Sequence, residues 1–88
     1  MKQKPSLFIV GIHIKNRFKQ VAKLQKIFTE FGCQIKTRLG LHRTSDDFCA
    51  ADGLIILEMI GETAKISEFF EAVSSLQNIE IKKMTFKL

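Results

Sequence analysis

Few side chains in this 88-residue chain could do chemistry: two histidines, His13 and His42, two cysteines, Cys33 and Cys49, and arginines at 17, 38 and 43. Cys49 follows His42 by seven positions. A thiolate near an imidazole is a soft donor pair that suits nickel, copper or zinc, and its metallation releases a proton near neutral pH. His42 and Cys49 are therefore the candidate metal ligands. A structural zinc finger is excluded, because it wants four Cys or His ligands in short paired spacings, and the sequence has no C-x-x-C or H-x-x-x-H. Arg38 and Arg43 offer a second chemistry in the same region. Their guanidinium groups could hold an anionic small molecule, with His13 and Asn16 as further ligand-binding candidates.

Catalytic constellations are missing. No serine has a His/Asp partner at a recognisable spacing, and there is no G-x-G-x-x-G or phosphate-cradling loop. Asp46, Asp47 and Asp52 read as a soluble loop more readily than as a cation site. Asn16 and Arg17 are too generic to carry an acylphosphatase-like mechanism. The expectation is a chain that is not an enzyme.

Composition agrees with a small binding module. A hydrophobic fraction of 45% and a charged fraction of 26% are those of an ordinary globule and exclude disorder. No apolar run reaches the roughly 18 residues that a membrane-crossing helix needs. Lys2 and Lys4 ahead of Leu7–Ile12 imitate a signal peptide, but Lys15 and Arg17 follow and no small-residue cleavage site appears, so the expected location is cytoplasmic. Two cysteines are too few for a secreted disulfide framework. The net charge of +5 is uneven: residues 1–43 hold ten Lys/Arg and one acid, residues 44–88 four Lys and eight acids. Lys19, Lys23 and Lys26 recur on successive helical turns as a solvated face or a phosphate-contacting strip. No base-stacking aromatics are free to accompany them.

These groups must be positioned by six elements. Leu7–Ile14 is a β-branched and aromatic run, a strand apolar on both faces, preceded by a tail over 1–6. Phe18, Val21, Leu24, Phe28 and Phe31 form an amphipathic helical stripe, with Asn16 as cap and Gly32 as its C-terminal glycine. Cys33–Leu41 alternates, with Cys33, Ile35, Thr37, Leu39 and Leu41 on one face. A loop spans His42–Asp52, followed by a buried strand over Leu54–Ile60 bounded by Gly53 and Gly61. Ile66, Phe69, Phe70, Val73 and Leu76 mark a second helix capped by Thr63. Ile79–Phe86 closes the chain as a strand whose apolar phase slips at Lys82-Lys83, by a bulge or because its two halves are apolar on opposite faces.

The order β-α-β-β-α-β predicts one α+β domain over residues 1–88, a ferredoxin-like sandwich with two helices on one face of a four-stranded antiparallel sheet ordered 4-1-3-2. That topology brings His13, the Lys15–Arg17 turn, His42 and the Cys49 loop to one edge, with His13 and His42 about 10 Å apart across the intervening strand. Cys33 lies about 26 Å away at the other end, which makes a disulfide with Cys49 unlikely geometry and predicts a packed thiol. Leu7, Ile9, Leu54 and Ile56 alternate with Phe8, Val10, Ile55 and Leu57. Whichever set meets the helices, the other is left on the open face, and a second copy of the chain is the simplest cover.

The stretch Ile35-Lys36-Thr37-Arg38-Leu39-Gly40-Leu41-His42-Arg43, the cysteine loop to Gly53-Leu54-Ile55-Ile56-Leu57-Glu58, and Ile81-Lys82-Lys83-Met84-Thr85-Phe86 resemble the iron-only hydrogenase system regulators of anaerobic bacteria. That family is similar to the ACT-like C-terminal domain of nickel-responsive regulators, which assembles as an oligomer and holds metal at subunit contacts, and to amino-acid-binding ACT domains. Two departures stand out. Lys15-Asn16-Arg17-Phe18-Lys19 lacks the glycine with which ACT turns admit a carboxylate, and Gly40 stands where a nickel-responsive domain would place a further histidine. The resemblance implies an ACT-like ligand-sensing regulator in an anaerobic metal or hydrogenase context, working as a homodimer or homotetramer with a small-molecule or metal effector and no membrane. The alternative is a nucleic-acid-binding regulator using the basic face of the first helix.

Overall fold

The computed structural model describes residues 5–15, 17–42 and 53–88. Its elements follow the expected order: β1 (Ser6–Ile14), α1 (Arg17–Glu30), β2 (Ile35–His42), β3 (Gly53–Gly61), α2 (Thr63–Ser74) and β4 (Ile79–Lys87). The strands form one antiparallel sheet in the order β2-β3-β1-β4. This is the ferredoxin-like βαββαβ architecture, with β1 and β3 at the centre.

Period-two alternation in β1 divides its side chains cleanly between the faces. Phe8, Val10, Ile12 and Ile14 are buried against the helices together with Leu57 and Met59 of β3. The helices complete this core with Leu24 and Phe28 from α1, Phe31 from the turn directly after it, and Ile66, Phe69 and Val73 from α2. Phe69 is the hub of their contact: its ring stacks on Phe28 at 6.1 Å and meets Phe31 edge-on at 5.3 Å between centroids, geometries that favour the aromatic quadrupole.

The phase slip of β4 is resolved without a bulge. The β1–β4 register runs unbroken from Ser6↔Lys87 to Ile14↔Ile79. Ile79 and Ile81 pack on the core, whereas Met84 and Phe86 belong to the other face and stay exposed. The irregularity lies in β2 instead. Ile35 pairs with Met59 and Thr37 with the next residue, Glu58, so Lys36 is the extra residue of a bulge. The bulge puts Ile35 against the core and separates it from Thr37 and Leu39, with which simple alternation grouped it.

Three local expectations are corrected. Cys33 is exposed and lies in the turn ahead of β2, so it is not a packed thiol. Gly32 follows α1 without a positive φ. The chain leaves that helix through a tightened turn in which the Gly32 N–H donates to the Thr29 carbonyl (3.3 Å) and Gln34 to Phe31 (3.0 Å). The N-cap of α2 is Glu62, whose side chain makes no capping hydrogen bond, and Thr63 is already helical.

The left-handed backbone conformation falls instead on Asn78, at φ 62°. The Asn78 carbonyl accepts the Lys15 N–H at 2.9 Å, fastening the end of β1 to the turn between α2 and β4. Asparagine tolerates this region, whereas a β-branched side chain pushes its Cβ against the carbonyl. Asn78→Val is expected to lower the unfolding free energy by about 1–2 kcal/mol and Asn78→Gly to leave it nearly unchanged, as read by urea denaturation.

Candidate functional site

Of the expected site residues, the described His13 and Arg38 lie on opposite faces of the sheet. His13 lies near the end of β1, half-buried, paired with Leu54 on one side and Glu80 on the other. Backbone register places it on the face without helices, alternating with buried Ile12 and Ile14. The backbone of His42 pairs with Gly53, one row beyond that of His13. The two histidines thus share a sheet edge, as the topology requires. Asn16, Arg43 and Cys49, with most of the loop after β2, lie outside the described residues. Among the described residues no three His, Cys, Asp or Glu side chains gather as a metal would need.

Arg38 occupies the opposite face. Its guanidinium sits 4.7 Å from the centre of the Phe28 ring, and its Nη1 donates to Gln25 Oε1 at 3.3 Å. This arginine roofs the edge of the core below α1. It does not share a pocket with His13, so these two candidates are not brought together. An exposed cation–π contact contributes about 0.5–1 kcal/mol.

The face without helices carries a feature the sequence reading treated only as apolar surface. Register lays its residues out in four rows across β2, β3, β1 and β4. Ile60, Leu7 and Phe86 make the first row. Thr37, Glu58, Ile9 and Met84 follow, then Leu39, Ile56, Gly11 and Lys82. Leu41, Leu54, His13 and Glu80 make the last. Leu39, Leu54, Met84 and Phe86 are 37–57% exposed, a concentration of large apolar side chains that soluble surfaces normally cover.

At the centre of this face is a hollow of about 420 Å³ lined by Ile9, Gly11, Leu54, Ile56, Lys82, Lys83 and Met84. Its floor is Gly11. A Cβ built there would meet nothing within 4 Å, so the missing side chain leaves space rather than relieving a clash. A lone glycine inside a β-branched run was the available signal, since a strand glycine marks a close approach or a gap. Two charges enter the middle rows. Glu58, half-buried, accepts a hydrogen bond from Thr37 Oγ1 at 2.7 Å, and Lys82 stands beside the hollow on the outer strand. The neighbouring Lys83 turns to the helix side, its ammonium 5.6 Å from the Phe8 ring and 5.1 Å from Phe70.

Arg38→Ala is expected to lower the unfolding free energy by about 1 kcal/mol through loss of the Phe28 contact, with Arg38→Lys recovering only part of it. Chemical denaturation of the two variants measures this, and an unchanged midpoint would free Arg38 for a purely ligand-facing role.

No family model and no curated protein sequence matches this chain. The similarities are structural. An uncharacterized protein from Thermotoga maritima aligns with a TM-score of 0.82 at 15% identity, over 96% of this chain and 100% of its own. The apo form of CPII from Thiomonas intermedia, a nitrogen regulatory PII-like protein, aligns at 0.57 and 14% identity, covering 99% and 95% of the two chains. The same protein bound to ADP, AMP and bicarbonate aligns at 0.52 and 13% identity, covering 99% and 96%. At these identities the likeness is one of fold: the chain has the ferredoxin-like architecture of PII-like signalling proteins.

Proposed function

We infer that the chain is a small non-catalytic regulatory module that senses a ligand and works as a homo-oligomer, a dimer or tetramer. The observation that carries this is the uncovered sheet face. Its exposed leucines, Met84 and Phe86 are the kind of surface that a module working through self-association keeps available. The shared fold with a nitrogen regulatory PII-like protein bound to ADP, AMP and bicarbonate supports small-molecule sensing as the class of task. The ligand is assigned to the edge where β1 and β2 end, with His13, Asn16, His42 and Arg43 as contacts and His42 with Cys49 as donors for a transition metal. Arg38 is left out because it covers Phe28. The resemblance of the 35–43 and 53–58 segments to iron-only hydrogenase system regulators supports an anaerobic, cytoplasmic setting.

The test is a thermal-shift screen of nickel, zinc, adenine nucleotides and amino acids, run alongside sedimentation. A ligand that binds the folded assembly raises the melting temperature by mass action, by an amount that grows with its concentration. For a metal, His42→Ala and Cys49→Ser should abolish the shift. If no candidate shifts the melting curve and the protein sediments as a monomer at micromolar concentration, the sensing reading fails. Binding to a DNA or RNA duplex that falls steeply with salt would replace it with the basic-face alternative.

A further inference from the structure

We propose that the uncovered face is closed by a second copy of the chain, with the two-fold axis running along the strands, so that Ile56 of each copy fills the Gly11 hollow of the other and Glu58 meets the partner's Lys82. The proposal rests on the oligomeric reading above and adds its geometry and determinants.

Size comes first. Strands of eight or nine residues, rising about 3.3 Å per residue and spaced about 4.8 Å apart, make a face of roughly 30 by 19 Å. Its projected area is about 550 Å². A surface studded with side chains exposes more than its projection, which brings it close to the ~800 Å² per partner of a standard stable interface. Two such faces pack about 10 Å apart with strands nearly aligned.

Orientation follows from the rows. An axis along the strands, between β3 and β1, keeps every row in place while exchanging β3 with β1 and β2 with β4. The partner's Ile56 then comes over Gly11, where a Cβ would find empty space. Glu58 comes to lie one strand and one row from the partner's Lys82, within reach of two long side chains. An axis across the strands would leave Glu58 under an isoleucine and set the partner's Lys82 over Met84, two strands away. A half-buried carboxylate sealed in an apolar layer without a cation is costly. The first arrangement gives each Glu58 a countercharge and each hollow a filling. Within one chain, Glu58 and Lys82 are separated by β1 and sit in different rows, and the hydrogen bond that Glu58 makes there is with Thr37.

Charge reversal provides the test, by sedimentation equilibrium at two salt concentrations. The wild type is expected to be dimeric at micromolar concentration. Glu58→Lys and Lys82→Glu, each alone, place like charges opposite one another and should weaken self-association at least tenfold. An equimolar mixture of the two variants restores both unlike pairs in a heterodimer, and should associate within threefold of the wild type. Gly11→Leu should also dissociate the dimer, while leaving the melting temperature of the monomer within a few degrees, because a Cβ at Gly11 meets nothing within 4 Å and the hollow above it gives the rest of the side chain room. A wild-type dimer whose two charge variants fail to re-associate on mixing, or that tolerates Gly11→Leu, overturns this geometry while leaving an oligomeric sensor intact. A wild type that stays monomeric and instead binds decanoate in the hollow overturns both.

Discussion

Two helices can cover only one face of a four-stranded sheet, and β1 lies at the centre of that sheet. This constraint governs the rest. β1 must be apolar toward the helices to build the core, which Phe8, Val10, Ile12 and Ile14 achieve at 0–4% exposure. Yet Leu7 and Ile9, on its other side, are equally apolar, as are Leu54, Ile56 and Ile60 on the neighbouring central strand. An antiparallel sheet that stays wet on one side alternates apolar with polar residues. This one does not, and the hollow over Gly11, the half-buried carboxylate of Glu58 and the exposed Met84 and Phe86 take their meaning from that departure.

β4 shows how an edge strand answers both demands. Near the Asn78 turn it presents Ile79 and Ile81 to the core. Beyond Lys82 its large apolar residues, Met84 and Phe86, move to the open face. The helix side of that second half is closed by Lys83, whose ammonium lies over Phe8 and Phe70. Its aliphatic stem covers apolar surface while the charge keeps contact with solvent. A lysine that could be taken as mere edge protection is thus part of the cover over the core.

Much of this was legible because it depends on period alone. Alternation in β1, the three-and-four spacing of Leu24, Phe28 and Phe31, and the spacing of Ile66, Phe69 and Val73 each report a face of their own element, and the order of elements then dictates the sheet order. What failed to read out depends on a partner. The bulge at Lys36 exists only relative to Met59 and Glu58. Cys33 falls in the turn because β2 begins two residues later than its alternating pattern suggests. Arg38 looked like a free cation on a polar face until Phe28 of α1 came beneath it. The same division holds for the candidate site: topology places His13 and His42 at a common edge, while separating His13 from Arg38 needed the register and the helix contacts.

The sharing of this fold at 15% identity with the Thermotoga maritima protein follows from how little the architecture asks of particular residues. A sheet with two helices needs apolar side chains at alternating and helical positions, and many sequences satisfy that pattern. Ligand chemistry makes the opposite demand, for a few residue types at fixed places, so it does not travel with the fold. In the proposed reading, sensing and assembly meet in the row of Leu41, Leu54, His13 and Glu80, which ends the strands at the ligand-bearing edge and adjoins the row of the Gly11 hollow. A ligand held at that edge can change self-association only by the difference between its affinities for the separate and the paired chains, and pairing must change ligand affinity by the same factor. The rows on either side of His13 are where such a difference would have to arise, because there the edge and the covered face share the same strand residues.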